Sequence, residues 1–232
     1  MVRNALLVLA ALVAGFAGAG IFSWSGLGDR HVERYLVANP DLLPQMMAAL
    51  ERKRAEDRLA SVGGDVRTPY GGAVLGNPNG SKTLVKFTDY NCGYCRASAG
   101  EVQKMIAADP DLRVVIREWP IFEGSDIAAR MALAAAKQGK YREYHLALFE
   151  SGDTSMAGLE AAAQKAGLDL ARLKNDAGSA EIGFELSRNA QFAQELGFTG
   201  TPSWVAGSRI IEGAVPAEAL ASALSESAAS ES

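Results

Sequence analysis

The spacing of apolar side chains changes along this 232-residue chain, and each change marks a different element. From Ala5 the run Ala-Leu-Leu-Val-Leu-Ala-Ala-Leu-Val-Ala-Gly-Phe-Ala-Gly-Ala carries no polar side chain, and it continues through Ile21, Phe22 and Trp24. From Asp29 the period becomes helical. Asp29 suits an N-cap, and Val32, Tyr35 and Leu36 fall at i, i+3 and i+4. Asn39-Pro40 stops that helix and Pro40 or Asp41 opens the next, where Leu43, Met46, Met47 and Leu50 form a short apolar stripe ahead of the mixed-charge run Glu51 to Arg58. A helix with so narrow a stripe cannot bury it alone. It either packs on its own domain or pairs with copies of itself. The Gly-, Pro- and Asn-rich stretch from Gly63 to Gly80 reads as a linker, which favours self-association.

From there the pattern is that of an α/β protein. A short strand is expected near Ala73-Val74-Leu75 and a buried strand over Thr83 to Phe87. A helix over Cys92 to Ala108 and a second buried strand over Arg113 to Glu118 complete a right-handed parallel crossover. The block from Ser125 to Leu196 is helical, broken at Gly139, Ser151-Gly152, Gly167-Leu168-Asp169 and Gly178. Strands return at Ser203 to Val205 and Ser208 to Ile211 around an Ala206-Gly207 turn. A last helix runs from Pro216 to about Leu224, and the small polar tail 225–232 is expected to be disordered. The segments are therefore 1–28, an export leader or membrane anchor; 29–62, helical and oligomerising; 63–72, linker; and 73–224, one α/β domain with a helical insertion at about 125–196.

Composition narrows the class. A hydrophobic content of 48% with 22% charged residues belongs to a globular protein. A net charge of −4 argues against nucleic acid, which selects basic surfaces. The Ala- and Gly-rich stretches predict helices packed through small residues. Arg3 ahead of the apolar run, with Ala17-Gly18-Ala19 as a small-residue cleavage site, has the form of a signal peptide. Residues 5–24 also reach the ~20 residues needed to span a bilayer. Both readings carry Asp29 onwards into an oxidising compartment, the periplasm.

The candidate chemistry lies in the only two cysteines, Cys92 and Cys95, within Asp89-Tyr90-Asn91-Cys92-Gly93-Tyr94-Cys95. A bridge across two intervening residues closes too small a loop to be an effective staple. It makes a good redox switch. At a strand-to-helix junction, Cys92 sits where unpaired backbone N–H groups favour a thiolate, and Cys95, a turn further in, is placed to resolve a mixed disulfide. Structural zinc requires four ligands, and His31 and His145 lie far from the pair in sequence, so no metal site is expected. Cu(I) held by two thiolates is the alternative use of the same pair.

Gly200-Thr201-Pro202-Ser203, just ahead of a strand and after the helical block, completes a pattern. A Cys-x-x-Cys after the first core strand, a helical insertion, then Thr-Pro before the next strand resembles the thioredoxin fold as elaborated in the DsbA family, over about residues 73–224. The phrase FTDYNCGYC, Phe87 to Cys95, and the preceding Val37-Ala38-Asn39-Pro40-Asp41-Leu42-Leu43 look most like the ScsC/Com1-type branch of that family. The resemblance implies a thiol-disulfide oxidoreductase with Cys92 as nucleophile and Cys95 as resolving thiol. It implies a cis Thr201-Pro202 bond facing Cys92, and Gly93, Tyr94, Thr201 and Pro202 lining the substrate groove. It also implies N-terminal helices that drive homo-oligomer formation, with isomerase or reductase activity rather than simple oxidation. No dissociable cofactor is required, since the cysteine pair carries the electrons. The implied partners are unfolded or misoxidised secreted proteins and a membrane redox protein.

Two positions depart from the family. Gly93-Tyr94 stands where strongly oxidising members have Pro-His, which removes a positive charge and implies a milder potential. Lys86 occupies the position, six residues before the first cysteine, where many thioredoxin-like proteins place a buried acid. A lysine there either favours the thiolate or, as a surface residue, snorkels or pairs with Glu118 on the next strand. Asp89 reads as a turn or cap residue, Tyr90 as a packed ring, Trp119 as core, and His145 as a packed or surface histidine. Ser203 has no nearby histidine and no nucleophile elbow, so it is not a catalytic serine.

Overall fold

The computed structural model describes residues 27–230, together with Asn4, residues 11–18 and Gly20. Most of the segment expected to be a leader or anchor therefore lies outside the described residues, including Trp24 and the Ala19 of the small-residue site; residues 11–18 are helical. Among the described residues no helix is long and apolar enough to cross a membrane. The chain divides into two compact units, Met1–Arg52 and Lys53–Ser232.

In the first unit, helix α1 (Leu27–Ala38) begins two residues before Asp29, so Asp29 is not the cap. Asn39 donates its side-chain amide to Tyr35 O at 2.8 Å, and Pro40 cannot continue the backbone ladder. Helix α2 (Leu42–Val62) follows. Val32, Tyr35, Leu36, Leu43, Met46, Met47 and Leu50, the expected apolar stripe, are all exposed.

The second unit contains the sheet. Strands β1 (Val74–Gly76), β2 (Lys82–Thr88), β3 (Leu112–Glu118), β4 (Ser203–Ala206) and β5 (Arg209–Glu212) lie in the order β1-β3-β2-β4-β5. Only β2 and β3 are parallel; they are joined by helix α3 (Gly93–Ala108), the crossover expected from the sequence. The β4–β5 turn is Gly207-Ser208 rather than Ala206-Gly207, because Ala206 is still paired with Arg209. Gly207 takes φ +57°, which a tight two-residue hairpin requires.

The insertion comprises α4 (Asp126–Lys137), α5 (Tyr141–Ser151), α6 (Met156–Lys165), α7 (Leu170–Ala177) and α8 (Ala180–Leu196). Its punctuation is local chemistry. Ser155, Asp169 and Ser179 each accept a backbone N–H three residues on as N-caps. Gly152 closes α5 in the left-handed conformation. Small residues permit close packing, and Ala128, Ala129, Ala132, Ala134, Ala135 and Ala136 of α4 are all buried.

Alternation along the central strands divides the interior into two clusters. Leu84, Val114, Ile116 and Trp204 face α3 and the insertion. Val85, Phe87, Val115 and Val205 face the other way, where Phe192, Leu196 and Phe198 cover them with Leu59, Val62 and Val66. This covering corrects the expected linker at 63–72. Residues Gly63–Arg67 form a 3-10 turn with Val66 fully buried, where it adds to the apolar cover that Phe192 and Leu196 of the insertion give the sheet's second face. The last helix, α9 (Ala217–Ser230), also runs past Leu224 into the tail expected to be disordered. Its sequence is rich in Ala, and Arg209 pairs with Glu226 at 3.2 Å; residues 231–232 lie outside the described residues.

Candidate active site

Strand β2 delivers the chain to the cysteines, and α3 fixes them. Cys92 is the N-cap of α3, with extended backbone, and its Sγ accepts the Cys95 N–H at 3.3 Å. Because β4 pairs antiparallel with β2, Phe87 opposite Ser203, the residues just before β4 come to lie against the cysteine loop. There the Thr201-Pro202 bond is cis, and the Cys92 thiol donates to Thr201 O at 3.1 Å. Cys92 keeps 3% of its surface exposed and Cys95 none. Tyr94, between them, is 71% exposed, and a side chain at Gly93 would meet open space, so the approach lies over the start of α3.

Asp89 organises the loop that holds this junction. Its Oδ2 accepts from Ile121 N (2.7 Å), Phe122 N (3.0 Å) and Ser125 Oγ (2.7 Å), and its Oδ1 from Asn91 N (2.7 Å). Asn91 then bridges to the insertion, donating to Glu123 O (3.0 Å) and accepting from Thr154 Oγ1 (2.6 Å). Arg96 on α3 donates to Gly152 O at 3.1 Å. Asp89 is thus the structural residue its sequence position suggests, and it locks the cysteine loop to the insertion. Ser203 bonds Gly200 O at 2.6 Å, a turn contact. Trp119 is half-buried against Phe87, with ring centroids 6.2 Å apart.

Beneath the cysteines lies an ionisable cluster. Burial pushes the Cys95 thiol up to about 11, opposed by the nearby Thr201 hydroxyl and Asp89 backbone, by the Lys86 charge, and by the nearby Thr88 hydroxyl. Lys86 is fully enclosed, so it does not snorkel. Its Nζ donates to Cys95 O at 3.3 Å and lies 5.4 and 5.3 Å from the Phe149 and Trp204 ring centroids. Burial drops its ammonium to about 8. Glu118, at the end of β3, is pushed up to about 8 by burial, although Tyr141 and Tyr90 hydrogen bonds favour its charge.

The sequence marks Cys92, Cys95, Gly93, Tyr94, Thr201 and Pro202, and the structure brings all six to one place. It misses the polar floor. Tyr90, expected only as a packed ring, donates its hydroxyl to Glu118 Oε1 at 2.8 Å, and Tyr141 does so at 2.6 Å. His145 is packed, as one of its two expected fates, with Nδ1 2.8 and 3.2 Å from the same two hydroxyl oxygens. A signal for Glu118 was present: an acid ending a mostly buried strand, beside the strand that carries Lys86. Tyr141 and His145 gave none, because only the folding of α5 against β3 brings them there. Among the described residues no group of three or more His, Cys, Asp or Glu side chains could hold a metal.

A family model described as a DSBA-like thioredoxin domain matches residues 83–225. A thioredoxin-like oxidoreductase from Silicibacter pomeroyi DSS-3 is 42% identical, with a TM-score of 0.67, over 73% of this chain and 98% of that one. A linker-deletion mutant of ScsC from Proteus mirabilis is 26% identical, with a TM-score of 0.67, over 86% of this chain and 92% of that one. The Na(+)/H(+) antiporter NhaA 1 of Salinispora arenicola is 27% identical over 155 residues, 65% of this chain and 24% of that protein. The chain therefore spans about a quarter of the length of the curated relatives it matches.

Proposed function

Because the chain belongs to the DSBA-like thioredoxin family, we propose that it is an exported thiol-disulfide oxidoreductase acting on secreted proteins through Cys92 and Cys95. The observation that carries this reading is the convergence of the Cys95 N–H and the Thr201 carbonyl on one sulfur, with the second sulfur sealed beneath it. The Cys92 thiolate attacks a substrate disulfide, giving a mixed disulfide and one substrate thiolate. Cys95 then attacks Cys92 Sγ and expels the second substrate sulfur as a thiolate. Run backwards, the same steps oxidise a substrate dithiol. The Thr201-Pro202 segment lines the groove for an extended, unfolded or misoxidised polypeptide, and Tyr94 offers it an exposed ring. A membrane redox protein in the periplasm resets the pair. No dissociable cofactor takes part.

The exposed apolar stripe on α1 and α2 supports a homo-oligomer, the arrangement suited to isomerisation or reduction. Solution mass of the full chain checks this: Met46→Glu with Leu50→Glu is expected to yield monomer. Insulin reduction and refolding of scrambled ribonuclease test the activity. Cys92→Ser is expected to lose all pair-dependent turnover. Wild-type protein without such turnover, but with tight stoichiometric Cu(I), would instead make the pair a copper-binding site.

A further inference from the structure

Residues 197–202 lead from the end of α8 to the cis bond, and their course sets the carbonyl that faces Cys92. Arg58 holds their start, donating to Leu196 O at 3.3 Å. Phe198 is buried, with its N–H on Ala193 O at 2.9 Å and its ring 5.1 Å from that of Phe87. At the other end Ser203 Oγ donates to Gly200 O (2.6 Å), and the Gly213 N–H donates to Pro202 O (2.8 Å). Between these anchors Thr199 lies at the surface, in neither helix nor strand.

One side chain holds it. Glu212 Oε1 accepts the Thr199 N–H at 2.7 Å, and Oε2 accepts the Thr199 hydroxyl at 3.3 Å. The sheet places that carboxylate. Phe87, Ser203 and Glu212 lie side by side across β2, β4 and β5, so Glu212 stands at the cysteine end of an edge strand. Arg209, the basic residue of β5, points to the opposite face by alternation and pairs with Glu226 at 3.2 Å. Among the described residues the Glu212 carboxylate has no further partner. Glu212 and Thr199 are both exposed, so water can serve either of them and the contact adds little to stability. Its effect is on shape. It fixes the chain two residues before the Thr201 carbonyl.

We propose that Glu212 is a positioning residue for polypeptide substrates: by holding Thr199 it keeps residues 199–201 in the one conformation that an incoming chain meets beside Cys92. This rests on the exchange reading of Cys92 and Cys95 and on the groove along Thr201-Pro202. Without Glu212 the segment keeps both of its ends, but its middle moves. A polypeptide must then order that segment as it binds, which lowers affinity. The sulfurs are placed by α3 and by the loop that Asp89 organises, so a small disulfide, which needs no groove, reacts as before.

The test is stopped-flow reaction of reduced full-length protein with two disulfides that release thionitrobenzoate. One is 5,5′-dithiobis(2-nitrobenzoic acid); the other is an unstructured polypeptide whose single cysteine carries the thionitrobenzoate group. With the small reagent the two thiol-exchange phases report attack by Cys92 and resolution by Cys95. Glu212→Ala is expected to lower the rate constant with the polypeptide by about tenfold, as loss of one hydrogen bond to a charged group does. Both phases with the small reagent should stay within about twofold of wild type. Glu212→Gln keeps an oxygen for the Thr199 N–H, so it should recover the polypeptide rate to within about threefold. Glu212→Ala that matches wild type with the polypeptide, or slows with both disulfides alike, overturns the inference. Glu212→Gln as slow as Glu212→Ala also overturns it, since charge rather than the held N–H would then be the cause. A wild type with no second phase overturns the exchange reading itself.

Discussion

Two buried ionic clusters stand one residue apart on β3 and face opposite sides of the sheet. Arg117 is satisfied on every side. Nε donates to Val66 O (3.1 Å), Nη1 to Glu185 Oε1 (2.8 Å) and Asn189 Oδ1 (3.1 Å), and Nη2 to Thr68 O (2.6 Å) and to Asp65 O. All five guanidinium N–H groups are used, and the Phe192 ring lies 5.1 Å away. Glu118 keeps one oxygen with no partner, and the nearest cation on its face, Lys86, is bonded to a carbonyl instead. Both clusters bear a desolvation penalty. The saturated one serves to close the fold, and the unsaturated one lies under the cysteines. Incomplete pairing, more than burial of charge, sets the cluster under the cysteines apart.

That contrast breaks first at Arg117. Arg117→Met leaves Glu185 with Arg188 alone and takes the side-chain donor from the Val66 and Thr68 carbonyls. Urea unfolding is expected to show a loss of about 3–5 kcal/mol. Glu118 should show the opposite character in its pH dependence. Its folded value lies near 8 against an ordinary 4.5, so between those limits the native state holds a proton that the unfolded chain has lost. Wild-type stability therefore falls as pH rises from about 4.5 to about 8. Glu118→Gln removes that slope, so its stability is expected to stay level across the window in which that of wild type falls. Lys86 works the other way: its folded value of about 8 lies below an ordinary 10.5, so stability recovers between them, and Lys86→Met should abolish the recovery. A flat wild-type profile in urea titrations from pH 5 to 10 would remove both groups from the ledger of buried charge.

Leu59→Ala sharpens the comparison on the Arg117 side, where α2 helps to cover the sheet. A loss of about 2 kcal/mol by thermal or urea unfolding is expected, with no change in the thiol-exchange phases. The smallest stability effect falls on Tyr94→Ala. Its ring is exposed, so stability should stay within about 0.5 kcal/mol. Turnover of an unfolded polypeptide should nonetheless fall relative to turnover of a small disulfide.

Much of this was legible along the chain. The cysteine pair, Thr201-Pro202 and the glycine breaks at 139, 152, 167 and 178 are local signals, written in spacing and turn chemistry. What could not be read depends on contacts between distant segments. Residues 63–72 look like a linker because Gly and Pro dominate them, yet the carbonyls of Asp65, Val66 and Thr68 are what Arg117 needs. Tyr141 and His145 sit on an ordinary amphipathic pattern, and only the packing of α5 under the cysteine loop gives them chemistry. Lys86 left two readings open, and burial between Phe149 and Trp204 decided against the surface one.

The covering of the sheet's second face also has a consequence in time. Arg58 bonds Leu196 O and Arg67 bonds Gly207 O, contacts that join residues 138 and 140 positions apart. Loops of that length close slowly. During synthesis Leu59, Val62 and Val66 emerge early, but their apolar partners Phe192, Leu196, Phe198 and Val205 arrive only near the end. The first part of the domain to be made must wait for the last before either is sheltered from water.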